Sequence, residues 1–172
     1  MSSMNYLGRL FEHMYWADDR VLKLLSQAPA GEQGAARRLF HHVLAAERVW
    51  LLRLRGEDSS VQAIWPALGP AEERDLAAAN RIAYRQYIEA LDGEDLQKRV
   101  EYTNQQGRAY RTAIGDILTH VALHGAYHRG QVARAIRESG SEPVNTDYIT
   151  FVRELDEATT SAPDGYPETS IV

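Results

Sequence analysis

Four stretches of this 172-residue chain repeat their apolar residues with a period near 3.6, and no other feature constrains its fold as strongly. From about Met4 to Ala28, Leu7, Leu10, Phe11, Met14, Val21, Leu22 and Leu25 form one stripe, broken by Pro29, Gly31 and Gly34. A second run, about Ala35 to Arg55, carries Leu39, Val43, Trp50 and Leu54 and stops at Gly56. Pro70 followed by Glu72 and Glu73 signals a third helix, to about Leu91, because proline suits the first helical position and acids suit the positive end of the helix dipole. The fourth and longest run spans about Thr112 to Ser139, with Arg134 and Arg137 in its last turns and Gly140 as its stop. Helices of roughly 20 to 28 residues are about 30 to 40 Å long, and they bury such stripes most simply against one another. The predicted fold is therefore all-α, a four-helix bundle.

The connections add detail. Glu57 to Gly69 has mixed composition and reads as a loop, while Arg99 to Arg111 (RVEYTNQQGRAYR) reads as a small β-hairpin before the fourth helix. A short helix is predicted near Thr146 to Asp156, after Pro143. The bundle domain is expected over residues 1–157, with 158–172 as a polar tail.

Composition then narrows the chemistry. The chain has no cysteine, which removes disulfides, thiolate zinc sites and a protein thiol nucleophile. A formal net charge of -5 has the wrong sign for tracking a phosphate backbone, so nucleic acid is not an expected partner. No segment approaches a membrane span, and the N-terminus meets charge and histidine before any signal-length apolar run, so a cytoplasmic location without membrane attachment is expected. Six histidines remain, and a metal site here must use imidazole and oxygen.

The fourth helix reads HVALHGAYHRGQ, which places His120, His124 and His128 at successive i, i+4 positions. At about 100° per residue, His128 lies about 20°, His124 about 60° and His120 about 100° from the centre of the apolar face. The first two point inward and His120 sits at the margin. On the second helix, His42 lies about 100° from the face centre and borders the core, whereas His41, about 160° away, is expected to face water. His13 lies roughly 110° off its own stripe. An i, i+4 pair with a third imidazole from a facing helix can hold one divalent ion and leave a position open. A structural zinc is normally closed by four ligands, so three imidazoles point to an open site.

Glu47 falls about 40° from the centre of the second helix's apolar face, where an unpaired carboxylate is costly to desolvate. Its candidate partners are a ligand imidazole N–H, which would orient the ligand, or Arg129, next to His128. A structural Glu–Arg pair is the alternative. Asp18 poses the same question and is read as a polar residue at the open end of the bundle. Trp16, about 160° off its stripe, and the pair Tyr84 and Tyr87 are candidates for a partner surface.

With these residues in view, the chain resembles the DinB/YfiT-like superfamily over roughly Tyr6 to Leu155. The resemblance rests on YWADDRVL, HVLAAERVWL, HGAYHRGQ and PVNTDYITFVRE, in that order, with about 80 residues between the histidines of the second and fourth helices. It implies a four-helix bundle, often a homodimer, that binds nickel or zinc through His42, His124 and His128. It also implies relatives that are thiol-dependent S-transferases and isomerases using a low-molecular-weight thiol, beside many without an assigned reaction.

Three functional readings follow. In the first, His42, His124 and His128 hold a metal that activates water or a small external thiol against a small-molecule substrate, as an S-transferase or hydrolase; Glu47 and Arg129 support the ligands, and the 57–69 loop and hairpin shape the mouth. In the second, the ion serves a non-catalytic stress-response protein. In the third, the histidines are hydrogen-bonded core residues of a dimeric interaction module.

Overall fold

The computed structural model describes residues 3–28 and 33–160. Helices α1 (Ser3–Gln27), α2 (Gly34–Leu54), α3 (Pro70–Glu89) and α4 (Ile114–Glu138) form the bundle, and a short α5 (Tyr148–Thr160) follows. A single 3₁₀ turn (Asp95–Gln97) leads into an antiparallel hairpin of β1 (Arg99–Thr103) and β2 (Ala109–Ala113), in which Tyr102 opposes Tyr110. All five predicted helices and the hairpin are present. Residues 158–160, expected in the tail, complete α5; the rest of the expected tail, 161–172, lies outside the described residues. No described helix is long and apolar enough to cross a membrane.

The local signals act as the sequence suggests. Glu72 accepts the Gly69 backbone N–H at 2.7 Å, which satisfies one of the orphan donors at the start of α3. At the end of α4, Gly140 takes φ 85°, and the Ser141 N–H reaches back to the Ile136 carbonyl at 3.2 Å. That left-handed residue closes the helix with a six-to-one hydrogen bond, a conformation in which glycine carries no Cβ penalty.

Two apolar clusters fill the bundle. One gathers Leu7, Phe11, Met14, Leu51, Tyr84 and Leu118; the other gathers Val21, Leu25, Phe40, Leu44, Val132 and Ile136. Along every helix the passage from one cluster to the other contains one buried polar residue: Asp18 on α1, Glu47 on α2, Asn80 on α3 and Arg129 on α4. Arg129, 1% exposed, donates from Nη1 to the Asp18 carboxylate at 2.9 Å. Asn80 donates to the Leu44 carbonyl at 2.9 Å and to Glu47 at 3.1 Å. Tyr84 donates its hydroxyl proton to the Glu47 carbonyl at 2.7 Å. Burial pushes the Asp18 carboxyl up and the Glu47 carboxyl well above the carboxylate range. One guanidinium cannot neutralise two buried carboxylates, so the layer favours the protonated form of Glu47.

Several expectations are corrected here. Asp18 is not a polar residue at an open end; it is buried in the middle of the bundle against Arg129. Tyr84 belongs to the core, and Tyr87 packs on its margin with its hydroxyl on the Leu54 carbonyl at 3.2 Å. Trp16 and His13, both off the α1 stripe, are covered by α5: His13 packs against Tyr148 and Phe151 and donates from Nε2 to the Thr146 carbonyl at 2.9 Å, while Trp16 donates to Glu154 at 2.8 Å. The stripe of α1 counts only its bundle contacts, whereas α5 supplies a second packing surface behind it.

Gly125 lies one turn before Arg129, and a Cβ there would stand 2.9 Å from the Arg129 Nη1 that binds Asp18. Glycine to alanine inside a helix ordinarily gains about 1 kcal/mol. Here Gly125→Ala is expected to cost about 1–2 kcal/mol through overpacking against a pinned guanidinium. Arg129→Met, which strands Asp18, should cost about 3–5 kcal/mol, with part of that loss recovered in the Asp18→Asn/Arg129→Met double variant. Urea unfolding midpoints of the variants check both signs.

Candidate metal centre

Helices α2 and α4 pack closely with opposite directions: His42 meets His124 and His128, and Trp50, two turns along α2, meets His120, two turns back along α4. Ring centroids are 4.7 Å apart for His42 and His128, 5.4 Å for His42 and His124, and 4.4 Å for His124 and His128. One nitrogen from each of the three imidazoles lies within 4.8 Å of the others. The arrangement follows from α4 having two working faces. Gly125, Arg129 and Val132 turn into the core, and His120, His124 and His128, one residue behind in phase, look along the α2 seam.

The ring nitrogens are prepared for a cation. His42 Nδ1 donates to the Ile64 carbonyl at 2.8 Å, which puts the proton on that nitrogen and leaves the Nε2 lone pair free. His128 Nδ1 donates likewise to Gln131 Oε1 at 2.7 Å. Such outer hydrogen bonds fix tautomer and ring orientation in metal sites. Burial lowers the His42 pKa, and burial together with the neighbouring imidazoles lowers that of His124 to about 4. Imidazoles oriented in this way and supplied by two helices are a donor set that suits a divalent transition metal. The residues present fit the ion.

Glu47 and Arg129 do not support the ligands in the expected way. Their hydrogen bonds go to Asn80 and Asp18, and the acceptors on the imidazoles are a loop carbonyl and Gln131. The contribution of Arg129 is to seat α4. Ile64 was not apparent from sequence, because a backbone carbonyl leaves no signature there; Gln131, three residues after His128, was open to discovery by the helical spacing. His120 remains at the margin, 5.4 Å from His124 and 5.0 Å from Trp50 between ring centroids.

The 57–69 loop does reach the site. Trp65 stacks on His42 with centroids 4.0 Å apart and planes 12° apart, and Tyr127 flanks His128 at 5.1 Å. His41, expected to face water, is only 6% exposed: its Nδ1 accepts the Leu68 N–H at 3.3 Å, and its Nε2 lies 3.8 Å from Glu73. A helical wheel built on apolar residues cannot register the loop that covers the other side. Adjacent histidines thus fasten the same loop, His42 at Ile64 and His41 at Leu68.

The DinB family profile matches residues 1–160 of the chain. A curated relative, Protein DinB of Bacillus subtilis (strain 168), is 24% identical over a 167-residue alignment that covers 86% of this chain and 94% of that protein.

The depressed imidazoles carry a pH dependence with a definite sign. Above the unfolded value of 6.5, both states of the metal-free chain hold His42 and His124 neutral. As pH falls below 6.5, the unfolded chain binds protons that the folded site refuses, so stability declines until the folded value of about 4 for His124 is passed. The raised carboxyls of Asp18 and Glu47 act with the opposite sign, so the check is a difference: on acidification through that window EDTA-treated wild type should lose more melting temperature relative to His124→Gln, and an identical slope in the variant would contradict the assignment.

Proposed function

The chain belongs to the DinB family, and from that membership and the buried imidazole cluster we propose that it is a metal-dependent enzyme. His42, His124 and His128 hold one divalent transition metal, nickel or zinc, and the observation that carries this reading is the convergence of their nitrogens within 4.8 Å from two helices. Three protein ligands leave a coordination position for a reactant. When bound, the ion supplies Lewis-acid activation of water or of a low-molecular-weight thiol at neutral pH.

The chain's own residues do the rest. The Ile64 carbonyl and Gln131 orient His42 and His128, Trp65 shields the outer face of His42, and the absence of cysteine leaves any thiol to be delivered from outside. An S-transferase or hydrolase acting on a small electrophile is the reading these features favour; to it the family resemblance adds a homodimer and the sequence a cytoplasmic location.

Purification without chelator should yield about one transition metal per chain by elemental analysis, and EDTA should lower the melting temperature. His128→Ala should lose the metal, and His120→Ala should keep it. Electrophiles assayed with several small thiols should give a metal-dependent rate that His128→Ala abolishes. Bound metal in a protein that stays inert across the panel would favour a non-catalytic metal-binding role, and absence of metal would end both readings.

A further inference from the structure

Arg53 lies eleven residues beyond His42 on α2, which at about 100° per residue returns it to within about 20° of the same face, roughly 16 Å further along the axis. Aromatic rings join the two positions. His124 is followed by His120 at 5.4 Å, His120 by Trp50 at 5.0 Å, and the Arg53 guanidinium sits 4.6 Å from the Trp50 ring. From the other side the hairpin contributes Tyr102, whose ring is 5.0 Å from the same guanidinium.

Arg53 is only 8% exposed, and arginine is almost never buried to that degree without a counter-charge. Among the described residues no carboxylate lies within salt-bridge distance of it. Among the described residues its one hydrogen bond runs from Nε to Ser59 Oγ at 3.3 Å, and both Nη groups face no protein partner there. The guanidinium lines a pocket of about 320 Å³, together with Ser59, Ser60, Tyr102 and Asn104. Three exposed acids share the lining, Glu57, Asp58 and Glu101; Asp58 accepts the Ser60 N–H at 2.8 Å, and Glu101 lies 3.7 Å from Arg111.

We propose that Arg53 is an anion-binding residue that anchors a carboxylate of the small-molecule reactant in this pocket, at the end of the α2–α4 seam. A guanidinium fork matches the two oxygens of a carboxylate, and the three acids of the lining disfavour a more highly charged phosphate more strongly than a single carboxylate. Arg53 lies roughly 16 Å along the α2 axis from His42, the span that a reactant held at both places would bridge. Its place in the reaction rests on the metal-site reading; the anion site does not.

The test uses full-length, EDTA-treated protein titrated with succinate, neutral succinamide and inorganic phosphate, followed by tryptophan fluorescence and the Nε–Hε resonance of Arg53. Succinate should saturate and shift that resonance, succinamide should not, and Arg53→Gln and Arg53→Lys should weaken succinate by at least about tenfold, lysine because it lacks the fork. Should Arg53→Gln fail to fold, Arg53→Lys and the wild-type resonance decide. Equal succinate affinity in wild type and the variants, equal binding of succinamide, or tighter binding of phosphate overturns the proposal. Succinate binding retained in His128→Ala upholds the anion site even where the metal reading fails. In metal-loaded protein, displacement of succinate by reduced glutathione assigns the carboxylate to a thiol reactant, and simultaneous binding assigns it to the other reactant; either outcome supports the site.

Discussion

The Asp18–Arg129 pair, sealed between two apolar clusters, is the constraint on which the bundle's arrangement depends. A buried guanidinium is tolerable only where a carboxylate meets it, so α4 can seat against α1 in one register. Sliding α4 by one turn, about 5.4 Å, would carry the charge into hydrocarbon and strand Asp18. Glu47 and Asn80 extend the layer through α2 and α3, where burial raises the Glu47 carboxyl well above its ordinary range. Gly125 belongs to the same device, since it makes room for the guanidinium one turn below.

That register also sets the imidazole cluster. His128 is the residue before Arg129, so once the arginine faces α1 the histidine must point about 100° away, towards α2. His124 follows one turn below, and His42 meets both from the other helix. The loop between α2 and α3 completes the arrangement. It is pinned through Ile64 and Leu68 by neighbouring histidines and places Trp65 flat on a ligand ring. Rigid helices bring the three imidazoles together, the fastened loop orients and covers His42, and Gln131 on α4 orients His128.

Much of this was legible in the chain. Pro70 with Glu72, and Gly140 after Arg137, mark helix ends through backbone chemistry that acts within a few residues. The selection of His124 and His128 needed only the helical period and a core face, and His42, bordering its core face, was the one imidazole that α2 could offer them. Legibility ended where partners are remote in sequence. Asp18 and Arg129 are 111 residues apart, and neither residue type announces its mate. His13, Trp16 and His41 appeared turned outward because their covers, α5 and the 57–69 loop, are separate segments folded onto the far sides of α1 and α2.

The sequence by itself determined the elements, the all-α class and the three imidazoles, because helical periodicity, capping and side-chain phase are local consequences of backbone geometry. Only the tertiary structure decided which charge neutralises which, which carbonyl orients His42, and that Arg53 is buried without a carboxylate beside a pocket. Those properties depend on desolvation and on distances between segments far apart in the chain, and packing alone sets both.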